Sequence, residues 1–266
     1  MAVVARLLLY LAAMMVLGDA CARWVRGEAW HSRPASRDGN GPVFAWLAAL
    51  IALSLLFVLQ FLALELAPTV SDVAMLARQT AWGNGWLMLA GCAMVGVIGG
   101  VARAPLTGRF LIAIAFAIAM GGLGHAAADD LAPWTSRALD ATHVVATGVW
   151  LGTLFSLGRS PALPVWERFS RLAVIAAPLS VLSGTGSALL RLRDASLTQV
   201  IASDYGRLLS AKLVIVAVIL AVGARHRRQL LARREPTVAS VRFELLLALA
   251  VLGVTAVLTA TAPPGE

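Results

Sequence analysis

"VFAWLAALIALSLLFVLQFLAL" (Val43–Leu64) contains no charged residue, no glycine and no proline. A helix of roughly 20 mostly apolar residues is what a bilayer core requires. Barrel strands would instead be about 10 residues long with alternating polarity, and no such alternation is present. Working outward, comparable runs recur at 3–20, 84–102, 109–126, 138–158, 171–190, 207–224 and 242–260. The 266 residues are 59% hydrophobic and only 14% charged, with a mean hydropathy of +0.81. A soluble domain is nearer a quarter charged. The expectation is an all-α polytopic membrane protein with eight transmembrane helices. The loops are short, with no linker or low-complexity tract, so residues 1–266 read as a single membrane domain.

The net charge is +8, and Lys212 is the only lysine among the 22 basic residues. In a membrane chain these charges are sorted by loop before nucleic acid is considered, and none is expected as a partner. The odd-numbered loops hold 15 of the 22 basic residues and six acids, a net of +9. The remainder of the chain holds seven basic and eight acidic residues, a net of −1. Positive loops stay in the cytoplasm. Both termini are therefore expected outside, together with the loop carrying Asp129 and Asp130. The first 23 residues also resemble a signal peptide, with Ala20-x-Ala22 as a cleavage site. Cleavage would place the six arginines of the last loop outside, against the charge pattern, so the first helix is retained.

Two segments suggest an internal repeat. "TAWGNGW" (Thr80–Trp86) opens the third span and "SDYGRLL" (Ser203–Leu209) the seventh. An offset of four helices is even, so the two four-helix halves would be parallel copies.

Candidate chemistry gathers where the fourth span ends and the fifth begins. "GLGHAAADDLAPWTSRALDATHVVATG" (Gly122–Gly148) carries His125 and His143. Short connections favour antiparallel neighbours. His143 lies about 8 Å into its helix at 1.5 Å per residue, so both imidazoles belong in the outer third of the bilayer. Asp140 precedes His143 by three residues on the same helix face and could orient its ring. Imidazole is a common copper, zinc and iron ligand, and copper(I) also accepts thioether. Met120 on the fourth span is the nearest candidate, with Met14, Met15, Met88 and Met94 on the first and third. Spacing alone leaves open a metal site or two structural histidines. Intramembrane ionisable groups favour function, more for His143 than for His125.

Other residues read more plainly. His31 and His226 sit among cytoplasmic arginines and are expected in solvated or lipid-facing positions. "RHRRQLLARR" (Arg225–Arg234) reads as a topology determinant that meets anionic lipid. Lys212 either snorkels outward or pairs with a carboxylate such as Glu65 or Asp204. Pro178, inside the sixth span and before "SGTGSA", predicts a kink. Cys21 and Cys92 form neither a disulfide pattern nor a CxxC site. No P-loop, GxSxG or HExxH is present, so neither enzyme activity nor a nucleotide cofactor is expected.

Four segments together resemble a known family. "HVVATGVWLGTLFSL" (His143–Leu157), "RFSRLAVIAAPLSVLSGTGSALLRL" (Arg168–Leu192), "DYGRLLSAKLVIVAVILAVGARHR" (Asp204–Arg227) and "GHAAA" (Gly124–Ala128) are similar to landmarks of the copper resistance D family, which includes bacterial CopD and PcoD. "TAWGNGW" fits as well. The resemblance is good over 121–260 and looser over 1–120. It implies an eight-helix inner-membrane protein with a periplasmic N-terminus. It implies copper, as Cu(I) or Cu(II), taken from the periplasm, often from a small CopC-like partner, and moved inward. It also implies that His125 and His143 are ligands. The chain departs from a rich copper site in having few methionines near these histidines and no fused CopC-like domain. Two rival readings stay open: a b-type haem electron carrier with two axial histidines, and a copper-delivery or assembly factor that does not transport.

Overall fold

The computed structural model describes residues 1–28, 41–66, 69–121, 123, 133–158 and 162–264. Of the described residues 86% are helical, and no strand occurs among them. The long helices are α1 (Ala2–Arg26), α2 (Gly41–Ala63), α4 (Ala81–Val101), α5 (Leu106–Met120), α6 (Pro133–Thr147), α8 (Leu163–Arg191), α10 (Asp204–Leu231) and α11 (Val238–Leu258). Two short helices, α3 (Val70–Gln79) and α9 (Leu197–Ala202), precede α4 and α10. A π turn (Gly148–Gly152) joins α6 to α7 (Thr153–Leu157) in one continuous span. Among the described residues seven helices are long and apolar enough to cross a membrane. The eighth expected span is described only over Leu106–Met120.

Local signals set several of these boundaries. Gly27 ends α1 at φ +101°, a left-handed position that glycine adopts without steric cost. Thr80 caps α4 by accepting from the Gly83 N–H at 2.9 Å. Ser203 caps α10 by accepting from the Gly206 N–H at 3.0 Å. Each cap is followed by an aromatic residue and then by the glycine, and that glycine packs on a carbonyl of the preceding short helix. A Cβ on Gly83 would meet the Leu76 oxygen at 2.0 Å, and one on Gly206 the Val200 oxygen at 1.8 Å. The two sequence segments that suggested a repeat thus build the same short-helix, cap and glycine corner.

Two hydrophobic cores share α1. One joins α1, α2, α4 and α5 around Leu17, Leu53, Leu89 and Phe116. Trp46 meets Phe116 edge-on at 5.3 Å. The other joins the lower part of α1 to the π turn, α7, α8, α10 and α11 around Val25, Leu154 and Ile219. Close backbone approach makes the crossing of α1 with the π turn. A Cβ on Gly18 would lie 1.9 Å from the Gly152 oxygen, and one on Gly152 would lie 2.2 Å from the Met14 oxygen. The π turn falls on "GVWLG", where the expectation was an uninterrupted helix. It widens the helix by one residue at the point where α1 presses in. α8 runs unbroken through Pro178.

Charges lie in two layers. Towards one end, Arg6 and Tyr10 of α1 bond Thr259 beyond α11, and Asp140 of α6 pairs with Arg191 of α8. Towards the other, Asp19 receives Arg23 at 3.2 Å and Arg109 at 2.6 Å. At this end Arg26 also donates to the Ser156 carbonyl at 2.8 Å and Arg168 to the Val25 carbonyl at 3.2 Å. Arginines that served as loop markers in the sequence therefore also bind α1 to α5, α7 and α8.

Candidate functional site

The α6–α8 seam is an antiparallel ladder of polar contacts. Asp140, His143 and Thr147 occupy successive turns of α6. Ser180, Gly184, Ser187 and Arg191 fall on one face of α8, because three- and four-residue steps return to the same side of a helix. Ser187 donates to one Asp140 oxygen at 2.7 Å, and Arg191 donates to the other at 2.7 Å. His143 Nδ1 lies 2.7 Å from the Ser180 carbonyl oxygen. Thr147 and Ser180 hydroxyls are 2.6 Å apart.

The His143 contact has a chemical consequence. A carbonyl only accepts, so Nδ1 carries the proton and donates. In the neutral ring Nε2 then keeps its lone pair, the form a metal ion or proton requires. Gly184 makes the approach possible. A Cβ there would sit 2.7 Å from both Cε1 and Nδ1 of the ring. The ring is half-buried at the helix seam.

This corrects the role expected for Asp140. Its two oxygens are taken by Ser187 and Arg191, and the Ser180 carbonyl orients the imidazole instead. A carboxylate facing a guanidinium at 2.7 Å forms a strong charge-assisted bond, so the neutral imidazole is left to the carbonyl. His125, Asp129 and Asp130 lie outside the described residues. Met120 is buried in the first core, 8% exposed, where Val144 and Val145 of α6 also pack. Met14 is buried as well. Met15, Met88 and Met94 are 40%, 63% and 52% exposed, which removes them as interior ligands. Among the described residues no three of His, Cys, Asp and Glu gather into a metal-holding set.

Several site residues escaped the sequence reading. Ser180, Gly184, Ser187 and Arg191 were visible as a helical stripe in "SVLSGTGSALLR" (Ser180–Arg191), yet only the small residues drew notice, as a packing seam. Among the described residues Lys212 pairs with neither Glu65 nor Asp204. Asp204 instead faces Arg207 at 3.1 Å. His226 is also corrected: it is buried, not solvated. Its Nδ1 lies 3.0 Å from Glu244 Oε2 and its Nε2 2.6 Å from Ser240 Oγ. The α10–α11 contact turns this histidine inward, while Arg225, Arg227 and Arg228 around it stay exposed.

Residues 163–258 match the family model of CopD, copper resistance protein D. This part of the chain is similar to CopD. It spans α8 to α11 and so contains Ser180, Gly184, Arg191, Lys212 and the His226–Glu244 pair. His143 and Asp140 lie ahead of the CopD match and dock onto its first helix. No curated protein and no solved structure matches the chain. The CopD match, with seven membrane-length apolar helices among the described residues, supports a copper-resistance-related, multi-pass membrane protein.

Proposed function

We propose that this chain is a copper permease of the bacterial inner membrane, without enzymatic activity, that moves copper from the periplasm towards the cytoplasm. The observation that carries the reading is His143. Its Nδ1–H is committed to the Ser180 carbonyl at 2.7 Å, so Nε2 is presented in the metal-binding tautomer. A second-sphere acceptor of this kind is the usual companion of a ligating histidine. His125 is the proposed second ligand, and Met120 a further thioether donor near the same seam. Copper, as Cu(I) or Cu(II), is the cargo, and a small CopC-like periplasmic protein is the proposed donor.

The proposed topology has eight spans in one membrane domain, α5 being the fourth, with both termini in the periplasm. The positive charge of the alternate loops supports it. The matching corners at Thr80–Gly83 and Ser203–Gly206 support two parallel four-helix halves.

The test is copper accumulation by cells expressing His125→Ala with His143→Ala. Accumulation is expected to be abolished with membrane insertion unchanged. Unchanged accumulation overturns the reading. A copper titration of the purified protein runs beside it, with the visible spectrum recorded first. Stoichiometric binding without accumulation assigns a delivery role, and a Soret band assigns haem.

A further inference from the structure

The α10–α11 contact buries a second histidine that the copper reading does not use. His226 stands in the last two turns of α10 and Glu244 in the first two turns of α11. They are 6% and 3% exposed. Nδ1 of His226 is 3.0 Å from Glu244 Oε2, and Nε2 is 2.6 Å from Ser240 Oγ. An ionised carboxylate only accepts, so Nδ1 carries a proton whether the ring is neutral or charged. A serine hydroxyl both donates and accepts. It gives its proton to Nε2 of the neutral ring, and it turns to accept from Nε2–H of the charged ring. The cluster therefore takes up a proton without losing a bond.

Charge points the same way. With a neutral ring the pair holds one carboxylate charge between buried helix faces, which is costly. A proton on Nε2 turns it into a neutral ion pair. Among the described residues no other ion pair reaches His226 or Glu244. Arg225, Arg227 and Arg228 flank His226 on α10, and Arg242 lies near Glu244 on α11, all exposed. On α8, Ser170 accepts from Arg227 at 3.3 Å, Glu167 pairs with Arg233 at 3.6 Å, Arg168 turns to the Val25 carbonyl and Arg171 is exposed. The bonds of His226 to Ser240 and Glu244 are also the only side-chain hydrogen bonds between α10 and α11 among the described residues. α10 has the smallest buried share of the membrane-length helices, so the charge state of His226 acts on a helix with few other ties.

We infer that His226, Glu244 and Ser240 form a proton-binding site between α10 and α11, and that its proton is coupled to copper movement. Uptake forms one N–H bond at Nε2 and leaves the pair neutral. Release restores the Nε2 lone pair and the single negative charge. The coupling rests on the permease reading; the proton site does not.

Two measurements on the full-length protein test it. The first is nitrogen-15 NMR in nanodiscs with ring-labelled histidine, the His226 signals being assigned by their loss in His226→Gln. Reversible conversion of the ring from singly to doubly protonated is expected between about pH 8 and pH 5, where imidazole ordinarily titrates. A ring that keeps one state throughout overturns the inference. The second is copper(I) uptake into proteoliposomes of neutral lipid, at fixed external pH and clamped potential, with the lumen pH varied. Wild-type uptake is expected to depend on lumen pH. His226→Gln and Glu244→Gln are expected to lose that dependence while still taking up copper, and His226→Asn serves if the glutamine variant fails to assemble. Wild-type uptake that ignores lumen pH, or a dependence kept by both variants, overturns the coupling and leaves the permease reading standing. No wild-type uptake at any lumen pH overturns the permease reading and the coupling with it, and the NMR result then decides the proton site alone.

Discussion

At the scale of single residues, the His143 ring is held by a contact that only a glycine allows. Gly184→Ala would bring a methyl to 2.7 Å from Cε1 and Nδ1. The opposing atoms belong to a stiff ring already bonded to α8, so the ring must move and the Ser180 bond breaks. Copper affinity is expected to fall about 10- to 100-fold, the usual cost of losing a ligand's orienting partner, as read by competition with a chromogenic chelator. Gly186→Ala is the control. Its methyl meets only the tip of Leu139, at 3.1 Å, a flexible side chain that can yield, so affinity should be unchanged. The histidine was legible in the sequence because an ionisable group in an apolar run stands out. Its orienting partner was not, because a backbone carbonyl carries no residue signature.

At the scale of elements, the crossing of α1 with the π turn decides how the two cores join. Gly18 and Gly152 allow backbone to touch backbone, and no side-chain rotation can relieve an added methyl there. Gly18→Ala is expected to destabilise the protein by about 1–3 kcal/mol or more, the range for overpacking a tight contact. Thermal unfolding in detergent checks it, beside Gly253→Ala, whose added Cβ would meet nothing within 4 Å. Helix positions were readable from composition because a run such as Val43–Leu64 can satisfy its backbone in lipid only as a helix. The π turn was not, since "GVWLG" is equally compatible with a regular helix until α1 packs against it. The short helices α3 and α9 were missed for a related reason: they are too brief to show in hydropathy and are held by Thr80, Ser203 and the corner glycines.

At the scale of the molecule, the two charged layers order the helices about one axis. Asp140, Arg191, Arg6 and Tyr10 mark one end. Asp19, Arg109 and the His226–Glu244 pair mark the other. On the topology proposed from the arginine count of the alternate loops, the second end faces the cytoplasm. In a cysteine-free background (Cys21→Ser, Cys92→Ser), a membrane-impermeant maleimide is expected to label Ala262→Cys in intact cells. It should label Ala232→Cys, between α10 and α11, only after permeabilisation. The opposite pattern would invert the protein and place His143 in the inner leaflet. α10 is the least buried of the seven membrane-length helices, and it joins the bundle chiefly through α11. His226 nevertheless turns inward from it.

Sequence alone determined the helical membrane class, the places of the spans, the sorting of charge by loop and the prominence of His143. These follow from hydropathy and net charge, which add up along a chain without reference to its folding. Tertiary structure decided which partners those groups found. Asp140 went to Arg191 and Ser187, His143 to the Ser180 carbonyl, and His226 to Glu244. Hydrogen bonds act over about 3 Å, so pairing depends on helix rotation and crossing, and those are set by where Gly18, Gly152 and Gly184 let backbones approach.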